Sequence, residues 1–209
     1  TDTSPGEKVT VNIKVLDTQN GIYYTGSGWG AEVWLTTSTA GTAVQVYPDS
    51  WTYTLSNWTS GKKYLAYARA YDRAGNWQDN FVSGTSSNTF IFDNTAPLSV
   101  LTVPNSNEVK TLTGISGSAS DIISGQEFYA GLSGTNKVQL TIKDEGISRY
   151  FDGNDFTQVN ITTVTVGSAA DWNAWSYTSA SGKWITDRQY TIRYWALDDL
   201  GNTGDSVPN

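Results

Sequence analysis

Residues Tyr64 to Asn76 read YLAYARAYDRAGN, and residues Tyr190 to Asn202 read YTIRYWALDDLGN. The two segments start 126 residues apart, and the same spacing carries Trp58 onto Trp184. Five of the thirteen positions are identical: Tyr, Ala, Asp, Gly and Asn. A repeat much longer than about 50 residues is not a solenoid of small units and predicts duplicated domains. A chain of 209 residues then divides into two modules, each near 100 residues and able to bury its own core.

The local pattern is that of strands. Apolar and polar residues alternate at period two, and clusters of Gly, Asn, Asp and Ser interrupt the runs. In the first half, strands are expected at Lys8–Leu16, Ala31–Thr36, Ala43–Tyr47, Ser50–Leu55, Lys63–Tyr71 and Asn88–Phe92. The second half predicts Leu98–Val103, Lys110–Ser116, Lys137–Lys143, Phe156–Val166, Ala174–Thr178, Gln189–Leu197 and Thr203–Val207. This density of short strands predicts an all-β fold of antiparallel sandwiches. Pro97 in Asp93-Asn94-Thr95-Ala96-Pro97 blocks a ladder hydrogen bond and holds the chain extended. It sets the expected boundary, with domains at 1–96 and 97–209. Asp2-Thr3-Ser4-Pro5 reads as a second joint, and Asp205-Ser206-Val207-Pro208-Asn209 as an approach to another. The longer second domain is expected to carry an inserted hairpin or loop near 144–174.

Within the repeat, Tyr64, Ala66, Ala68 and Ala70 share one strand face, as do Tyr190, Ile192, Tyr194 and Ala196, and these uncharged faces should point inward. Arg69 and Arg193 lie on the opposite faces. Asp72-Arg73-Ala74-Gly75-Asn76 and Asp198-Asp199-Leu200-Gly201-Asn202 then turn the chain, because Asp bonds amides ahead of it and Gly and Asn tolerate positive φ.

A glycine-led turn, a Tyr, an alternating strand, D-x-x-G-N, a last strand and a D-x-T-A-P joint together resemble bacterial immunoglobulin-like repeats. The match runs through Gly61, Tyr64, Asp72, Gly75, Asn76, Asp93, Thr95, Ala96 and Pro97, and in the second copy through Tyr190, Asp198, Gly201 and Asn202. The second copy lacks the glycine before Tyr190. The resemblance covers the C-terminal third of each module and implies two tandem immunoglobulin-like antiparallel β-sandwich domains in an extracellular, cell-surface protein. It also implies a tyrosine corner at Tyr64 and Tyr190.

Composition narrows the function. Twenty acids stand against thirteen Lys and Arg, for a net charge of −7, so there is no basic patch to neutralise nucleic-acid phosphates or anionic lipid. No apolar run approaches the roughly 20 residues of a membrane span, so no membrane insertion is expected. Cys and His are absent, which removes disulfides, thiolate metal sites, the thiol nucleophile and the commonest general base. Met is also absent, and the chain reads as a processed product or a piece of a longer polypeptide. No catalytic residues and no cofactor are assigned, and the chain is not expected to be an enzyme. Calcium is the one metal that the oxygen-rich turns at Asp72, Asp93, Asp121, Asp198 and Asp152–Asp155 bring into question.

Nine Trp and twelve Tyr suit half-buried strands. Trp34, Trp51, Trp58, Trp175, Trp184 and Trp195 are expected in cores. Trp29, Trp77 and Trp172, beside Gly- or Asp-rich segments, are expected at the surface, where rings stack on sugars or on another subunit. Asn57-Trp58-Thr59 and Asn160-Ile161-Thr162 match the glycosylation triplet. The leading expectation is a structural module, a rod-like spacer or stalk whose partners are neighbouring domains. The alternatives are a self-assembling filament of identical subunits joined by strand exchange, and a carbohydrate-binding module that meets a glycan through Trp29 or Trp77.

Overall fold

The computed structural model describes residues 10–36, 45–46, 51–72, 74–167 and 172–204. The Asp2–Pro5 segment, the ending at Asp205–Asn209, and parts of the strands expected at Lys8–Leu16, Ala43–Tyr47, Ser50–Leu55 and Thr203–Val207 lie outside them. The fold is all-β, with several antiparallel sheets and no helix among the described residues, as a β-sandwich requires. No helix is therefore long and apolar enough to cross a membrane. The chain divides into two compact units, Thr1–Asp93 and Asn94–Asn209.

The first unit contains β1 (Thr10–Asp17), β2 (Ile22–Tyr24), β3 (Trp29–Gly30), β4 (Gln45–Val46), β5 (Trp51–Thr52), β6 (Lys62–Tyr71) and β7 (Ser87–Phe92). Five strands form one sheet in the order β3-β2-β1-β6-β7, and β4 pairs with β5. Alternation places Val11, Ile13 and Val15 of β1 inward, where they pack with Tyr24, Leu35 and Tyr64. Each such side chain, fully buried, contributes roughly 1.5–3 kcal/mol. Tyr64 is 1% exposed, whereas Ala70, expected inward, is exposed near the end of β6.

The second unit contains β8 (Leu98–Val103), β9 (Ile115–Ser120), β10 (Val138–Asp144), β11 (Arg149–Phe151), β12 (Phe156–Gln158), β13 (Val164–Val166), β14 (Trp175–Tyr177) and β15 (Tyr190–Ala196). One sheet runs β12-β11-β10-β13, with β15 also paired to β10, and a second runs β14-β9-β8. Val138, Leu140 and Ile142 of β10 are completely buried with Phe151, Val166, Trp175 and Ile115. Gly117 makes this packing possible, since a Cβ there would fall 2.5 Å from Trp175 Cζ2 and 2.1 Å from the Val100 carbonyl oxygen.

Several expected strands shift. The strand placed at Lys110–Ser116 runs instead from Ile115 to Ser120, because its inward residues are Ile115, Gly117 and Ala119 and two of them are too small to register as an apolar stripe. Ala31–Thr36 forms a single bridge, Leu35 to Ile13. Phe156–Val166 breaks into β12 and β13, and the intervening Val159 and Ile161 are 69% and 68% exposed. The short strands β2, β3 and β11 escaped the periodicity because two or three residues carry no period. The β11–β12 hairpin stands to β10 as β2–β3 stands to β1.

The two units share local construction. Asp17 pairs in register with Tyr64, and Asp144 with Tyr190. Asp17 binds Lys62 at 2.6 Å and Asp144 binds Arg188 at 2.7 Å. The Tyr64 hydroxyl accepts the Thr59 N–H at 3.0 Å, and the Tyr190 hydroxyl accepts the Ile185 N–H at 2.9 Å. Gly61 has φ +77°, and Asp187, which stands in its place, has φ +60°. Asp is among the few residues that tolerate this region, so the missing glycine leaves the turn intact.

Candidate functional site

Among the described residues, three constellations have chemistry beyond packing. The first is the set of aspartate turns. Asp72 accepts the Asn76 N–H and side-chain amide at 2.8 and 2.7 Å, and Asp198 accepts the same two groups from Asn202 at 2.8 and 2.6 Å. Gly75 and Gly201 close the turns at φ +87° and +88°. Asp152 accepts the amides of Asn154 and Asp155, each at 2.8 Å, and the Thr157 hydroxyl at 2.6 Å. The Thr157 hydroxyl foremost, then those amides, hold the Asp152 carboxyl well below the usual carboxylate range. These oxygens are thus already engaged by the chain itself. Asp93 accepts the Ser60 hydroxyl at 2.9 Å, and Asp121 the Gly131 N–H at 2.5 Å. Within the second unit, buried Asp121 and Asp198 bring carboxylate oxygens within 4.8 Å of each other. Calcium takes six to eight oxygens from carboxylates, carbonyls and water together, and no metal is assigned to this pair.

The second constellation covers the outer face of β1 and β6. The Arg69 guanidinium lies 3.9 Å from the Trp34 ring centre, 5.1 Å from Tyr71 and 5.4 Å from Trp77. Lys14 sits 4.7 to 5.4 Å from the rings of Trp34, Tyr67 and Tyr23, and pairs with Glu32 at 2.6 Å. Such cation–π contacts hold both cations against the sheet. Arg69 Nε is buried and has no hydrogen-bond acceptor among the described residues. Trp77, 55% exposed, forms the open end of this row.

The third is a cleft of about 430 Å³ in the second unit, lined by Ile122, Tyr129, Leu132, Ser133, Trp172 and Asn173 among others. Its rim is fixed where Ser133 N–H donates to Asp199 at 2.9 Å and Asp199 N–H donates to Gly131 at 2.9 Å. Lys137 pairs with the same Asp199 carboxylate. The sequence offered no signal for this cleft, whose lining comes from two stretches about 40 residues apart.

Of the Trp residues expected at the surface, only Trp77 is there. Trp172 is 5% exposed and belongs to the second core. Trp29 packs on Tyr24, Trp58 and Tyr64 at 5.6, 6.3 and 5.2 Å, and its Nε1 donates to the Asn57 carbonyl. Both correct the expectation, because the residues beside a Trp in sequence do not fix whether its ring turns out to solvent or back over the core. Conversely, Trp51 is 42% exposed, Trp34 lies on the outer cation row, and Trp195 donates from Nε1 to Gln139 at 3.0 Å. Trp58, Trp175 and Trp184 pack in or against the cores as expected. Asn57 and Asn160 are both exposed.

The chain matches no family model, and a search of curated proteins returns no relative.

Proposed function

We propose that this chain is a non-catalytic structural segment of an extracellular surface protein, built from tandem immunoglobulin-like sandwich modules of the bacterial repeat type. Its task is to space or carry other parts of that protein. One observation carries the reading: a set of contacts recurs at Tyr64 and Tyr190, from the buried aspartate opposite each ring, through the hydroxyl that accepts a turn amide, to the Asp-x-x-Gly-Asn turn that follows. Recurrent, self-contained cores suit a protein that is extended by adding modules. The extracellular setting and the absence of catalysis rest on the resemblance and on the missing Cys and His. Sedimentation over a wide concentration range tests the reading. A concentration-independent monomer is expected; growing assemblies would transfer the chain to the filament alternative.

A second reading, glycan binding, is favoured by Trp77, an exposed ring beside a guanidinium held on Trp34 and Tyr71. A sugar face stacks on such a ring, and a uronate carboxylate would meet Arg69. Titration of the chain and of Trp77→Ala with an oligouronate decides it: tryptophan fluorescence should shift in the first and not in the second.

A further inference from the structure

The two N-x-T triplets of this chain stand in opposite surroundings. Asn57-Trp58-Thr59 is built into the first core. The Asn57 side-chain amide donates to the Ser27 carbonyl at 3.4 Å, and its backbone carbonyl accepts Trp29 Nε1 at 3.1 Å. The Trp58 ring packs on Tyr64, Phe90 and Phe92 at 4.7, 5.3 and 6.1 Å. The Thr59 N–H is the one that the Tyr64 hydroxyl accepts. An enzyme that draws this triplet into its own site must first pull Trp58 out of that cluster, which is local unfolding of the unit.

Asn160-Ile161-Thr162 lies in the break between β12, which ends at Gln158, and β13, which begins at Val164. Asn160 is exposed, and Ile161 is 68% exposed and so takes no part in a core. The Thr162 hydroxyl donates to the Asn160 carbonyl at 3.1 Å, a bond closed within the triplet, which moves as one piece with it. No packed ring has to be displaced to reach the Asn160 amide.

The surroundings of Asn160 also give a modification something to do. From Phe156 to Val166 the chain has no charged residue, no glycine and no proline, and it is rich in Val, Ile and Thr. An exposed stretch of that kind is prone to β-aggregation unless a charge, a proline or another polar guard interrupts it. Val159 and Ile161, on either side of Asn160, are 69% and 68% exposed. A glycan is bulky and solubilising, and one carried on Asn160 would shield both.

We infer that Asn160 is a site of N-linked glycosylation, made on the folded chain, and that Asn57 is not. The donor is a sugar activated by a phosphate or pyrophosphate leaving group at C1. Asn160 Nδ2 bonds to that C1, the bond from C1 to the phosphate oxygen breaks, and the phosphate leaves with the electron pair. One proton of the side-chain amide passes to a base of the transferase. Asn160 serves in this way in a spacer or in a filament subunit alike.

Peptide mass spectrometry of the chain from its native source is the first test, because trypsin releases the two triplets on separate peptides, 15–62 and 150–183. A glycan on Asn160 and a bare Asn57 are expected; a bare Asn160 overturns the assignment. The second test treats the purified folded chain with an N-x-S/T-directed glucosyltransferase and UDP-glucose. Asn160 should gain hexose at least about tenfold faster than Asn57, whose triplet must open first. Thr162→Ala, an exchange in an exposed connection, should abolish transfer while leaving Asn160 in place. Equal rates at the two sites, or undiminished transfer to Thr162→Ala, would overturn it.

Discussion

The Tyr64 hydroxyl accepts the amide N–H of Thr59 at 3.0 Å and fastens the Thr59–Gly61 turn to the strand that follows it. Tyr190 does the same for Ile185. Removing the hydroxyl leaves a turn amide without its acceptor. Tyr64→Phe and Tyr190→Phe should each lower stability by about 0.5–1.5 kcal/mol. Urea unfolding of the single and double variants measures this, and the two losses should add because the sites share no partner.

Gly117 has no room for a side chain under Trp175. Gly117→Ala should destabilise the second unit by about 1–3 kcal/mol, the range for overpacking a core. The near-ultraviolet circular dichroism of the Trp175 environment should change with it. An unaltered melting curve would show that the indole can withdraw.

Asp198 is 3% exposed and satisfies Leu200 N–H as well as both Asn202 groups. Asp198→Ala strands those donors and should cost about 1–3 kcal/mol. Asp72→Ala breaks the same bonds at a turn open to water, which replaces them. The comparison by thermal melting should give a clearly larger loss at Asp198, and equal losses would refute the role given to burial.

Acid should act through depressed carboxyls. The Asp152 carboxyl is lowered by Thr157 and the turn amides. Burial acts to raise Asp17, and the bonds from Lys62, Asn20 and Gln19 outweigh it, so Asp17 is lowered too. A carboxyl lowered by folding adds stability that is complete above its unfolded pKa, about 3.9, and is lost as pH falls through its folded value. Stability should hold down to about pH 4 and fall below it. Asp152→Asn should flatten that acid limb, and carbon-detected NMR should place the Asp152 midpoint below that of an ordinary aspartate.

Much of the framework was legible. The period-two runs at Leu98–Val103, Lys137–Lys143 and Gln189–Leu197 lie within a residue or so of β8, β10 and β15, because a strand buried on one face must alternate. The repeat placed Tyr64 and Tyr190 at corresponding points of β6 and β15. The β9 strand was missed by several residues because Gly117 and Ala119 make an inward face out of absent side chains. Trp29 and Trp172 were misplaced because the direction of a ring depends on contacts distant in sequence. The aromatic row on Arg69 joins Trp34, Tyr71 and Trp77 across β6 and its flanking loops, and its members carry no shared period.

The sequence by itself determined the all-β class, the turns at Asp72 and Asp198, the inward face of β15 and that of β6 as far as Ala68. These follow from backbone preference and nearest-neighbour chemistry, which act over a few residues. Only the tertiary structure decided which Trp is exposed, how Gly117 admits Trp175, and that β6 pairs along both of its edges, with β1 and with β7. Those outcomes depend on which strands meet across the sheet, and register between distant segments is set by the packing of the whole unit.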